Sequence, residues 1–174
     1  FFEMNARPIL ITDALAEPVT MREAIDYVRE DDSMASQVAL FLKAARQSVE
    51  NELITTKLMQ QTWELRMDDW ITNYTATYPV SMSLVAYSYV TLPAAPVVSI
   101  VSVKYDDTNN VEQTLSSTAY ELDSTSRPAR LRWTGAVTLP AFYPKQNAIR
   151  VRYIAGYGAS GDDVTTQQAA VPAD

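Results

Sequence analysis

Leu58-Met59-Gln60-Gln61-Thr62-Trp63-Glu64-Leu65-Arg66-Met67 is the stretch at which the hydrophobic period of the chain changes. Apolar and polar residues alternate along it, the pattern of a strand with one dry face. Upstream, apolar residues recur at three and four positions; downstream, short β-branched runs are punctuated by turn residues. That division sets the expected fold class. It is α+β, an N-terminal helical pair followed by an antiparallel β-rich domain.

Reading back from Leu58, Thr20-Met21-Arg22-Glu23 forms a capping box. The Thr hydroxyl takes an orphan N–H at the helix start, and Glu at the third helical position reaches back. Ala24, Ile25 and Val28 give the short helix that follows one apolar face. Asp31-Asp32-Ser33 supplies a stop and a fresh cap for a second, longer helix. In that helix Val38, Phe41, Leu42, Ala45, Val49 and Leu53 fall on one stripe, expected to face the core. Lys43, Arg46, Gln47, Glu50 and Asn51 lie between them as the expected solvated face.

Reading forward, Val80 to Leu92 is rich in Val, Tyr, Thr and Ser, and Pro93 and Pro96 close it. Val97 to Tyr105 reads as a strand, Asp106 to Asn110 as a turn, and Val111 to Leu115 as the returning strand. Ala119–Leu122, Ala129–Trp133 and Ala148–Ile154 complete the strand set. Trp70 to Tyr78 carries few core signals, and Trp70 to Tyr89 is expected to protrude as a loop or hairpin. The chain is expected to be one domain: a helical part over 1–55, a β-rich part over 56–154, and a flexible C-terminal segment over 155–174.

Composition excludes whole classes of function. The 174 residues include no Cys and no His. Disulfides, thiolate catalysis and Cys-based metal sites are therefore impossible, and so is any Ser-His-Asp machinery. No catalytic residues, metal ligands or cofactors are expected. A chain of this length can bury roughly 70% of its unfolded surface, enough for a core without staples. No apolar run approaches the ~18 residues of a membrane helix, so no membrane partner is expected. The net charge is −7. Phosphate binding needs concentrated Lys and Arg, so sequence-independent grip on nucleic acid is not expected.

Several local patterns have a plainer reading than the functional one they suggest. Gly156-Tyr157-Gly158-Ala159-Ser160-Gly161 matches the dinucleotide fingerprint, but Asp162-Asp163 follow at once and would repel a pyrophosphate. A mobile loop is expected there. The acidic pairs at Asp31, Asp68, Asp106 and Asp162 sit at element ends, where Asp bonds the local backbone. None has the spacing of a calcium loop. Trp63, Trp70, Tyr74, Tyr78, Tyr87 and Tyr89 lack interleaved basic residues, which favours protein contact over base stacking.

The order of specific strings resembles a phage family. Leu10-Ile11-Thr12, Glu17-Pro18-Val19-Thr20 and Glu23-Ala24 are similar to the opening of tailed-phage head–tail connector (adaptor) proteins, the gp6-like and phiE125 gp8-like group. Ala44-Ala45-Arg46, Val49-Glu50 and Gln61-Thr62-Trp63-Glu64-Leu65 continue the pattern. Leu92-Pro93, Pro96-Val97, Ser102-Val103-Lys104-Tyr105, Val111-Glu112-Gln113-Thr114-Leu115 and Tyr120 match its middle. Ile149-Arg150-Val151-Arg152-Tyr153 and Ala155-Gly156-Tyr157-Gly158 match its end. Two features depart from it. Ile54-Thr55-Thr56 stands where the family carries Thr-Gly, and the one or two helices that follow the Val-Pro are expected to be absent after Val171-Pro172.

The resemblance implies a structural virion protein of the neck, between capsid and tail, assembled in the host cytoplasm. It implies a homo-oligomeric ring, usually about twelve copies, bound beneath the portal protein and docking a stopper or tail-completion protein. DNA passes through the lumen without specific binding, and no enzyme activity is implied. Trp70, Tyr74, Tyr78, Tyr87 and Tyr89 are the expected contact residues. Tyr157 and Asp174 join them, on a segment expected to order against the portal. The alternative reading is a carbohydrate- or host-binding β-module of a tail structure, with Tyr and Trp as a sugar platform.

Overall fold

A computed structural model describes residues 6–28, 32–53, 55–70, 89–134, 138–159 and 161–172. The architecture is α+β. Two helices lie in the N-terminal part, and two antiparallel sheets make up most of the remainder. The strands are β1 (Arg7–Thr12), β2 (Gln61–Met67), β3 (Tyr89–Leu92), β4 (Val97–Asp106), β5 (Glu112–Thr114), β6 (Tyr120–Asp123), β7 (Ala129–Trp133) and β8 (Ile149–Ala155). The helices are α1 (Met21–Val28), α2 (Ala35–Glu52) and α3 (Val164–Ala170). One sheet has five strands in the order β1-β2-β8-β4-β5, the other three in the order β3-β7-β6.

The core forms where the inward rows of both sheets meet. On β8, Ile149, Val151, Tyr153 and Ala155 are fully buried, while Arg150, Arg152 and Ile154 between them face away. Ala129, Leu131 and Trp133 on β7 do the same for the smaller sheet, leaving Arg130 and Arg132 outside. Period-two alternation thus translates directly into one dry face per sheet. Met67 and Leu65 from β2 and Val90 and Leu92 from β3 join the same cluster.

Trp70 belongs to this core, which corrects its expected place on a protruding loop. It is 4% exposed. Its ring stands edge-on to Trp133 at 5.2 Å and to Phe142 at 6.5 Å, and lies tilted against Tyr105 at 5.5 Å. The indole N–H donates to the Pro140 carbonyl at 2.9 Å, and the Trp133 indole donates to the Trp70 carbonyl at 2.8 Å. Both polar handles are satisfied, as buried Trp requires.

The capping box at Thr20 forms as expected. Glu23 N–H donates to the Thr20 hydroxyl at 3.2 Å, and Thr20 N–H donates to the Glu23 carboxylate at 2.9 Å. The second helix starts differently: a 3-10 turn at Asp32–Met34 leads into α2, whose N-cap is Met34 without a side-chain hydrogen bond. Two elements went unread in the sequence. Among the described residues strand β1 pairs only with β2, and it is exposed along its whole length, so it carries no alternation to detect. Its Pro8 suits an edge strand, where a missing N–H costs no ladder bond.

Helix α3 lies within 155–174, the stretch expected to be a flexible tail without helices. It buries no residue and has no apolar stripe. Asp163 caps it, accepting from Thr166 N–H at 2.8 Å. Gln168 donates from Nε2 to the Glu17 carbonyl at 2.7 Å, which ties α3 to the α1 side of the molecule. Upstream, Ala155 is buried and Gly156 N–H donates to the Pro96 carbonyl at 2.9 Å.

The glycine run makes the turn between β8 and α3. Gly156 has φ +138°, and a Cβ there would collide with the Met59 backbone carbonyl. Gly156→Ala should therefore lower stability by about 1–3 kcal/mol, the scale of a strained non-glycine conformation. A urea unfolding midpoint followed by circular dichroism checks this; an unchanged midpoint would show that the turn does not depend on glycine.

Candidate interaction surface

α2 is turned to the body by charge rather than by its apolar stripe. The row Val38, Leu42, Arg46, Glu50 faces inward, and Arg46 and Glu50 are buried at 3% and 4% exposure. Arg46 Nε donates to Glu17 at 2.7 Å, Nη2 to Asp13 at 3.0 Å, and Nη1 to Glu50 at 3.4 Å. Lys43 adds a second cation on Asp13 at 2.9 Å. Glu50 then accepts from Leu58 N–H and from Gln61 Nε2, each at 3.0 Å. One guanidinium thus joins the β1–α1 connection to α2, and one carboxylate joins α2 to the start of β2.

The electrostatics follow from that packing. Burial alone lowers the Arg46 pKa, but the Glu17 hydrogen bond and the Glu17, Asp13 and Glu50 charges outweigh it and raise it. Burial raises Asp13, and the Lys43, Ala14 and Arg46 contacts reverse this and hold it below the usual carboxylate range. The expected solvated face of α2 is therefore partly its buried face. In exchange Phe41, Ala45, Val49 and Leu53, expected in the core, are exposed.

A second charged region covers the outer face of the larger sheet. Glu64 lies across from Arg152 in the β2–β8 register and accepts from it at 2.7 Å and from Arg66 at 2.9 Å. Burial raises the Glu64 pKa, and these two arginines overcome it and hold it low. Arg150 makes a forked pair with Asp106 at 2.7 and 2.9 Å and reaches Glu112 at 3.1 Å. Lys145 also pairs with Asp106 at 3.1 Å, and Lys104 with Glu112 at 2.6 Å. The arginines of β8 are therefore committed to carboxylates of the same face, not presented as a phosphate-binding stripe.

Of the contact residues singled out in the sequence, Trp70, Tyr89 and Tyr157 lie among the described residues. Trp70 is in the core. Tyr89, half-buried on β3, lies under the Arg130 guanidinium at 5.0 Å. Tyr157 is half-buried in the glycine turn. Tyr74, Tyr78, Tyr87 and Asp174 lie outside the described residues, as does most of the Trp70–Tyr89 stretch. The Asp106–Asn110 turn is held by Asp107, whose carboxylate accepts from Asn109 and Val111 N–H. What sequence reasoning missed is the outward face of α2, with Leu40 and Phe41 exposed at 69% and 70%. Its signal was present, because Leu40 lies off the stripe and has no packing partner implied by the pattern.

With this geometry in place, comparison with solved structures is informative. A chain in the neck of the empty gene transfer agent particle, computed with C6 symmetry, matches 95% of this chain and 75% of its own, with TM-score 0.66 and 19% identity. A chain in the virion of the native gene transfer agent particle matches the same shares, with TM-score 0.65 and 18% identity. A chain in the neck of the native particle, computed with C12 symmetry, gives 0.64 and 19% over 95% and 74%. The fold is shared with chains of gene transfer agent particles and their necks. No protein-family profile and no curated protein sequence matches the chain.

Two measurements probe the charged clusters. Arg46→Ala leaves three carboxylates facing one another without their shared cation, and should cost roughly 3–5 kcal/mol. Calorimetric melting reads this; a change below about 1 kcal/mol would mean the cluster is solvated. Hydrogen bonds from Arg150 lower Asp106 from 3.8 to about 2. A depressed carboxylate stabilises fully above its unfolded pKa and loses this as pH falls through the folded value. Wild type should therefore exceed Asp106→Asn in urea midpoint near neutral pH, the gap closing between about pH 5 and pH 2. Parallel pH curves would contradict the assignment.

Proposed function

We propose that the chain is a structural subunit of a phage-type particle neck: an adaptor ring beneath the portal that extends the DNA channel and docks the stopper or tail. The observation that carries this is the fold, shared over 95% of the chain with gene transfer agent chains, including those of necks computed with six- and twelve-fold symmetry. The order of connector-like strings from Leu10 to Gly158 supports the same reading independently of the fold.

On this reading the subunit is not an enzyme and uses no cofactor. It assembles as a ring of about twelve copies by contacts repeated head to tail, which close when the rotation per contact divides a full turn. Subunits are made in the host cytoplasm and end in the finished particle. The net charge of −7 and the carboxylate-paired arginines of the sheet suit a channel through which DNA slides without being held. The sugar-platform alternative gains nothing from Trp70 and Trp133, both of which are buried.

The test is cryo-electron microscopy of the folded chain mixed with portal rings of its own particle. The expected result is a symmetric collar stacked on the portal. An intact portal with no added density, in the presence of folded chain, would overturn the adaptor role.

A further inference from the structure

The face of α2 turned away from the body is apolar and has no partner among the described residues. Leu40 and Phe41 sit at its centre, Ala44 and Ala45 extend it one turn on, and Val49 borders it at 43% exposure. Together these side chains offer roughly 400 Å² of apolar surface, the size of the largest patch on a typical monomer, which is often functional. The face is not held outward by default. Turning α2 to bury it would pull Arg46 off Asp13 and Glu17, and Glu50 off Leu58 and Gln61.

We propose that this face docks on a second copy of the chain, so that α2 of each subunit forms the ring contact with its neighbour. The inference rests on the neck-ring reading above and names the surface that makes the ring. Charge permits this occupant. Each copy carries a net charge of −7, so two copies repel wherever acidic surface meets acidic surface. On α2 this repulsion is weak, because Lys43 and Arg46 balance Glu50 and Glu52 within its 18 residues.

Size agrees with this occupant. A stable protein–protein contact buries about 800 Å² per partner, of which somewhat over half is apolar. The α2 patch supplies most of that apolar share, and Gln37, Lys43, Gln47 and Asn51 around it are exposed, forming a polar rim without net acidity. Head-to-tail contact uses one such patch per subunit, so the face is open in the lone chain and covered in every copy of a closed ring.

The experiment uses the full chain and portal rings of its particle. Phe41→Asp, with Leu40→Asp as a second variant, is compared with wild type for melting temperature and for collar occupancy by electron microscopy. The chain has no cysteine, so Phe41→Cys supplies a single thiol for a short photo-crosslinker. Expected are unchanged melting, at least a tenfold loss of collar for both Asp variants, and a crosslinked product of twice the chain's mass. A normal collar from either Asp variant, or a crosslink to the portal subunit instead, overturns this inference and leaves the neck reading standing. Wild-type chain that forms no collar overturns that reading, and this inference with it.

Discussion

The Arg46 guanidinium is the interaction on which the rest of the arrangement depends. Its side chain is 1% exposed and reaches carboxylates of Asp13, Glu17 and Glu50. A buried cation without partners is not tolerable, so the loop after β1, the approach to α1 and the second half of α2 must meet at one point. Glu50 passes the constraint on to Leu58 and Gln61 at the start of the larger sheet. The helical part and the β part are thereby locked in one relative orientation by polar geometry, which is directional where apolar packing is not.

Such a cluster is a weak source of net stability, because desolvating four charged groups offsets most of their attraction. What it fixes is which way α2 faces. An apolar replacement of the whole cluster could be as stable, yet it would let α2 roll so that Phe41, Ala45 and Val49 pack inward. The sheets contribute the stability instead. The inward rows of β7 and β8, with Trp70 wedged among Trp133, Tyr105 and Phe142, exclude water from one continuous core.

How much of this was legible follows from where information sits in a sequence. β7 was readable to the residue, since Ala129-Arg130-Leu131-Arg132-Trp133 alternates between a core and solvent, and the box at Thr20 was readable because its bonds are local. The orientation of α2 was not. Its stripe at three-and-four spacing is the ordinary mark of a core face, and only the residues 29 and 33 positions upstream of Arg46 reveal why the helix is turned. β1 was invisible because an edge strand exposed on both faces has no period, and α3 because it buries nothing. Trp70 was misplaced by its polar neighbours Asp68 and Asp69, although Asp68 itself bonds the Asn147 N–H at 2.7 Å. In the candidate site, Tyr89 and Tyr157 are the two aromatic contact residues that the described structure places at partial exposure.

On the proposed reading, these constraints bear on how a ring subunit can remain well behaved before assembly. A patch of exposed leucine and phenylalanine invites collapse onto the subunit's own core, which would hide the docking face, and invites premature association with any other apolar surface. The ion cluster opposes the first outcome, because the roll that hides the patch strands Arg46. Net charge opposes the second, because copies at −7 repel wherever their acidic surfaces approach. Buried charge and surface charge thus act on the same helix from its two sides, one holding the apolar face outward and the other resisting its indiscriminate covering.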